Sequence, residues 1–260
     1  MEEKKIPVAW YRFRGVGLLC LCSAVFFAGA YMTGQKSVAV NSTAGVVKES
    51  RSSPVCSVAE RGKRAALTFD LDGGSASAQA ILDILEQHDV KATFFVTGKW
   101  AQQYPEDVRR IAAAGHDLGN HSQSHRDMTF MEKREIQQEL QTVHEAVYRM
   151  TGVEMKVFRA PYGAYSDRLL QVIGQSGYLP VEWDVDSQDW KNYGVESIVE
   201  AAQLKNGSII HLHNEADPLI RALDPLIREI RAQGYELVPV SEMIRWSGYV
   251  IDETGRQIPE

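Results

Sequence analysis

From Arg64 onward, short runs of consecutive apolar residues alternate with longer stretches whose apolar residues recur on one helical face. The compact runs Ala65–Phe69, Ala92–Val96, His116–Asn120, Val157–Arg159, Leu179–Asp184, Ser208–His211 and Glu236–Val238 predict strands. Between them, Ala78–Gln87, Pro105–Ala114, Glu132–Met150, Ser166–Ser176, Val195–Lys205 and Leu219–Gln233 predict helices, with a short last one over Ser241–Trp246. Punctuation supports these bounds: Pro105 opens a helix, and Gly115, Gly152, Gly177, Gly207 and Gly234 follow helix ends. Strands that alternate with helices imply a parallel sheet covered by helices. Seven strand candidates favour an α/β fold curled into a distorted (β/α) barrel of about seven parallel strands over an open sheet.

The region before Arg64 has a different pattern. Lys4, Lys5, Arg12 and Arg14 precede an uncharged run from Gly15 to Gly34 that contains Leu18, Leu19, Leu21, Val25, Phe26 and Phe27. About 20 apolar residues span a bilayer as a helix, and upstream positive charge sends the rest of the chain outward. Residues 1–36 are therefore expected to be a membrane anchor or a signal peptide. Ala28-Gly29-Ala30 offers a cleavage site for the second case. Residues 37–63, rich in Ser, Lys, Val and Ala without a sustained period, read as a linker, with a leader strand packed on the domain as the alternative. The folded domain is expected over 64–247, and 248–260 as a C-terminal tail. Export makes the expected location extracytoplasmic, with the membrane as a partner through the N-terminal segment.

Composition narrows the function. With 44% hydrophobic residues the 260-residue chain is ordinary for a globular protein, and its net charge of −6 with no basic stripe after Arg64 argues against nucleic-acid binding. Cys20 and Cys22 lie in the apolar run, so Cys56 has no disulfide partner in the domain, and no histidine stands near it in sequence to make a thiol nucleophile.

Polar clusters that can do chemistry follow the strand candidates, the edge at which parallel α/β folds build their sites. After the first strand, Asp70-Leu71-Asp72-Gly73-Gly74 offers two carboxylates before a turn. One could hold a metal and the other act as a base, or an Asp could simply cap the next helix. Period-two geometry turns Leu71 to the barrel interior and both carboxylates to the cleft. His121-Ser122-Gln123-Ser124-His125 places two histidines four apart, a spacing that brings both imidazoles to one side of a helical turn and to one ion. Arg159-Ala160-Pro161-Tyr162 has a guanidinium that can pair with a carboxylate, and a Pro that stiffens a turn; a surface Arg beside such a turn is the plainer account. Asp184, Asp186 and Asp189 with Trp190 could line a sugar site or form a solvated acidic loop. His213 can be a general acid or an ordinary core histidine, and His211 shares its face by parity.

Taken in this order, the five clusters resemble the NodB-like polysaccharide deacetylases, the fourth carbohydrate esterase family, over about Arg64 to Trp246. That family carries an Asp-Asp-Gly turn and His-x-x-x-His, Arg-x-Pro-Tyr, Asp-x-x-Asp-Trp and Leu-x-His motifs. The resemblance implies a metal-dependent hydrolase that removes N-acetyl groups from a cell-wall polysaccharide, with peptidoglycan the first choice of substrate. It implies Asp70 as the base and Asp72, His121 and His125 as ligands of one divalent ion, zinc first, with cobalt or another divalent ion as alternatives. It makes Arg159 the residue that orients the base, the Tyr162 backbone N–H an oxyanion donor, His213 the acid, and Asp189 the partner of that acid. Pro161 and Trp190 fall in the substrate pocket. Two departures stand out. Leu71 separates the two carboxylates, so a register anchored on Thr68-Phe69-Asp70 would put Leu71 at the ligand position. His211 stands where the family has leucine. Other hydrolases of this fold cleave C–N bonds in small molecules, and a catalytically silent wall-binding protein is a further alternative.

Overall fold

A computed structural model of the chain describes residues 53–59, 62–74, 78–214 and 218–260. The expected anchor or signal, 1–36, lies outside the described residues, as does the expected linker as far as residue 52. No helix among the described residues is long and apolar enough to cross a membrane.

In chain order the elements are β1 (Ser57–Val58), β2 (Arg64–Leu71), α1 (Ala78–Gln87), β3 (Thr93–Val96), α2 (Gly98–Gln103), α3 (Pro105–Ala113), β4 (Asp117–Asn120), α4 (Lys133–Thr151), β5 (Val157–Phe158), α5 (Asp167–Gln175), β6 (Leu179–Pro180), β7 (Val185–Asp186), α6 (Val195–Glu200), β8 (Ser208–His213), α7 (Leu219–Ala232), β9 (Glu236–Leu237), α8 (Val240–Met243), β10 (Tyr249–Ile251) and β11 (Arg256–Pro259). Local chemistry fixes several ends. Glu132 and Glu135 form a capping box at the start of α4, and Gly152, at φ 74°, ends that helix in the left-handed conformation open to glycine. The Ser166 hydroxyl accepts the Leu169 N–H at the start of α5. Helix α2 is absent from the periodicity reading; its six residues are too few for a repeat, and its signal is Thr97, whose hydroxyl accepts the Trp100 N–H.

Strands β8, β2, β3, β4, β5 and β6 run parallel in that spatial order, β9 adds to β2, and β7 pairs with β8. The sheet thus curls into the barrel-like α/β architecture that the pattern predicts. Of expected Leu179–Asp184, Leu179–Pro180 forms β6, and β7 begins just after it at Val185. Strand β2 shows how the two sides are filled. Ala65, Leu67, Phe69 and Leu71 pack with the apolar faces of the helices, against residues such as Ile81, Leu85 and Leu226. Ala66 lies in the inner cluster with Phe95, Val157, Val181 and Ile209. Leu71 therefore faces the helices, not the barrel interior as expected from the sequence.

The expected domain limits of 64 and 247 fall inside the sheet. Val55, in the expected linker, bridges Val181, and β1 pairs antiparallel with β8 and parallel with β11. The stretch read as a tail forms the β10–β11 hairpin. Within residues 53–59, Val55 and Val58 are fully buried among the inner apolar residues, a location a solvated tether would not take.

Candidate active site

Parallel pairing of β2 with β8 sets Asp70 level with His213 and Thr68 level with His211. Parity then sends Asp70 to one face and Leu71 to the other. Leu71 is fully buried, and burying a leucine is worth about 1.5–3 kcal/mol. That burial opposes any register slip that would bring Leu71 to the cleft. Asp72, just past the strand, lies beside His125, with 3.2 Å between Oδ2 and Nδ1.

Asp70 is the centre of the site. Its Oδ1 accepts from Arg159 Nη1 at 2.8 Å, and its Oδ2 lies 2.8 Å from His211 Nε2 and 3.5 Å from His121 Nε2. Burial by itself would raise the Asp70 pKa, but the Arg159 charge, with His121 and His211, holds it well below the usual carboxylate value. Arg159 is fully buried. Its guanidinium lies 4.1 Å from the Phe95 ring centre, and Nη2 donates to the Glu182 carbonyl at 3.2 Å. The Arg of the third motif is therefore a buried partner of Asp70, not a surface residue.

His121 and His125 meet, with ring centres 4.8 Å apart, but not on a helical turn. Residues 121–125 form a loop in which Ser122 and His125 take φ of 67° and 54°. Asn120 Oδ1 accepts the Ser122 N–H, and the Ser122 hydroxyl accepts the His125 N–H. From α4, Glu139 accepts the Ser124 N–H and hydroxyl, each at 2.8 Å. Sequence reasoning passed over Glu139; its one signal is an acid on the buried face of an amphipathic helix. His121 Nδ1 is within 2.9 Å of the Arg159 carbonyl, which leaves Nε2 for the cleft. Burial favours its neutral form.

Pro161, Tyr162 and Gly163 form a single 3₁₀ turn after β5, with Tyr162 at φ 62°. Pro161 is buried, while Tyr162 is 70% exposed and its ring stands 4.8 Å from the His125 ring. Glu182 holds this turn through its carboxylate, which accepts the Ala160 N–H at 3.1 Å, and burial pushes its pKa up to about 8. It is another residue missed in the sequence.

Of the three acids in the fourth cluster, Asp189 alone reaches His213. Asp184 instead accepts the Ser208 hydroxyl and the Ile209 N–H, and Asp186 accepts the Gln188 N–H. Asp189, buried, accepts from His213 Nδ1 at 2.8 Å and from the His213 N–H at 2.7 Å. Burial opposes the charged form of His213, but the Asp189 hydrogen bond and charge prevail and raise its pKa. Trp190, next in sequence, is 56% exposed.

The donors fit a divalent ion. Two imidazoles and a carboxylate suit zinc-like metals. A ligand histidine that gives its second ring nitrogen to a carbonyl, as His121 does to Arg159, is the usual supporting arrangement. The structure joins Asp72 to His125 and His125 to His121, but among the described residues the trio with ligand atoms all within 4.8 Å of one another is Asp70, His211 and His213.

The polysaccharide deacetylase family matches residues 57–181. The peptidoglycan-N-acetylmuramic acid deacetylase PdaA of Bacillus subtilis is 33% identical over 186 residues, covering 68% of this chain and 70% of that protein. Its solved structure, a family 4 carbohydrate esterase, superposes with a TM-score of 0.70 at 32% identity over 73% of this chain and 84% of that one. The peptidoglycan-N-acetylglucosamine deacetylase PgdA of Listeria monocytogenes is 35% identical over 71% of this chain, but the match spans 40% of that protein. A family pseudoenzyme from Bacillus anthracis also superposes, with a TM-score of 0.71 at 27% identity over 74% of this chain and 68% of that one. The chain belongs to the polysaccharide deacetylase family.

Proposed function

We propose that this chain hydrolyses the N-acetyl groups of amino sugars in peptidoglycan, outside the cytoplasm. The observation that carries the reading is the pairing of an ionised, Arg159-held Asp70 with an Asp189-supported His213 at the same level of adjacent strands. A base and an acid so placed can serve the two sides of one amide. The relatives named for peptidoglycan support the choice of substrate. The Gly15–Gly34 run and the positive charges before it support export by an anchor or signal, with the membrane as partner.

Asp72, His121 and His125 would hold the ion, zinc first, which when bound polarises the acetyl oxygen and acidifies water. Asp70 takes the proton of the water that adds to the carbonyl carbon. Both of its oxygens have protein partners, so it is oriented before substrate arrives. The Tyr162 N–H, set by the Pro161 turn, stabilises the oxyanion. His213 donates a proton to the leaving nitrogen, and acetate and a free amino sugar result. Trp190 and Pro161 wall the acetyl pocket.

Acetate release by the purified domain, on peptidoglycan and on chitin oligosaccharides, tests this reading. Faster release from peptidoglycan is expected. Faster release from chitin oligosaccharides would overturn the substrate, and no release from either by metal-loaded protein would favour the silent wall-binding alternative, which the fold shared with a pseudoenzyme makes concrete.

A further inference from the structure

His211 departs from the family pattern and yet touches the residue proposed as base. It is buried, its ring stacks on Trp183 with centres 3.8 Å apart and planes 20° from parallel, and its Nε2 lies 2.8 Å from Asp70 Oδ2. Its other nitrogen, Nδ1, is buried with no hydrogen-bond partner among the described residues. A neutral imidazole carries one ring proton. The ionised Asp70 carboxylate lies 2.8 Å from Nε2, whereas the nearest carboxylate oxygen to Nδ1, Asp186 Oδ1, is 4.0 Å away and beyond hydrogen-bond reach, so that proton belongs on Nε2. His211 is then a donor, and Asp70 is gripped on both oxygens, by Arg159 on Oδ1 and by His211 on Oδ2.

We propose that His211 is a positioning residue: its Nε2–H fixes the carboxylate of Asp70 so that the remaining Oδ2 lone pair faces the attacking water. The inference rests on the reading of Asp70 as base. A leucine at position 211, as in the family motif, would leave Arg159 as the one side-chain donor to Asp70 among the described residues and let the carboxylate swing about that bond. The Trp183 stack holds the imidazole plane, so the pair Trp183–His211 transmits the rigidity of the core to the base. Asp70, His211 and His213 also have metal-ligand spacing, so the same contacts could instead mark an ion held by His211. The two roles differ in what leucine removes.

The test compares wild type, His211→Leu, His211→Gln and Asp70→Asn, each loaded with zinc, for kcat, KM, metal content and thermal midpoint. Loss of one donor that orients a general base is expected to lower kcat of His211→Leu by about 10–100-fold, below the ~10²–10⁴ that acid–base catalysis as a whole contributes. KM should stay within about twofold and metal content should equal that of wild type. His211→Gln, whose amide N–H reaches a similar point, should recover most of kcat. If His211→Leu is unfolded, His211→Met, which matches glutamine in shape but lacks the donor, takes its place: kcat about 10–100-fold below that of His211→Gln at wild-type metal content supports the role, and equal kcat in the two overturns it. Unchanged kcat in folded His211→Leu, with Asp70→Asn inactive, sinks the positioning role alone. Metal loss in His211→Leu overturns it in favour of a ligand role. An active Asp70→Asn refutes the base assignment itself, whatever the leucine variant does.

Discussion

Asp189 holds His213 twice, with Oδ1 at the ring nitrogen and Oδ2 at the backbone N–H, 2.8 and 2.7 Å away. One carboxylate thus fixes the ring tautomer and the main chain beneath it. It leaves Nε2 as the nitrogen that can face substrate.

Asp189 raises the His213 pKa from the ordinary 6.5. If the protonated ring is the acid, activity holds above pH 6.5 and falls as pH rises through the raised value. Removing the carboxylate charge should move that fall to lower pH. An Asp189→Asn profile of kcat against pH checks this, and an alkaline limb that stays in place would refute His213 as the acid.

The two aspartates of the first motif should separate. Asp72→Asn is expected to lose metal and activity together. Asp70→Asn should keep the metal and lose at least ~10²-fold in kcat, because an amide cannot accept the water's proton. His121→Ala should strip most of the metal. Elemental analysis with acetate release decides, and metal loss in Asp70→Asn rather than Asp72→Asn would reverse the assignment.

Glu139 should matter to metal binding without touching the ion. It fixes Ser124, one residue before His125, with two 2.8 Å hydrogen bonds. Groups that orient metal ligands typically cost 10–100-fold in affinity when removed, and about that loss is expected for Glu139→Ala. Zinc titration of the folded variant measures it; unchanged affinity would show that the loop holds its shape without α4.

Gly207 should be needed for the leader strand. It has φ 79°, and a Cβ there would overlap the Val58 carbonyl oxygen, while Val58 N–H donates to Gly207 O at 2.9 Å. Gly207→Ala is expected to destabilise the domain by more than ~1 kcal/mol, since alanine suits neither the left-handed backbone nor the space. Urea unfolding reads the change, and a stability equal to wild type would mean that β1 is dispensable.

Much of this was legible in the sequence for a simple reason: a strand buried on both sides must be apolar throughout, and a helix on its surface must be apolar on one face. Phe94–Val96 and Leu219–Ala232 are such cases. The two-residue strands β5 and β6 lie inside longer expected runs. The chemistry-bearing clusters were visible because each interrupts an apolar run with polar residues. Glu139 and Glu182 were not visible, since each is a lone acid whose partners lie 15 and 22 residues away. The helical turn expected for His121 and His125 failed because spacing of four does not specify backbone; Ser122 and Asn120 side chains stabilise a loop with the same end result.

The sequence by itself determined the order of strands and helices and the clusters at strand ends, because apolar runs and helical periodicity are local properties of a chain. Only the tertiary structure decided which residues meet. Arg159 and Asp70 are 89 positions apart and His211 and Asp70 141 apart, and no local rule links them. The barrel's curl and the β2–β8 register bring them within hydrogen-bond distance. The same closure turned part of an expected linker into a buried strand, because Val55 and Val58 could leave water only where β6 and β8 already stood.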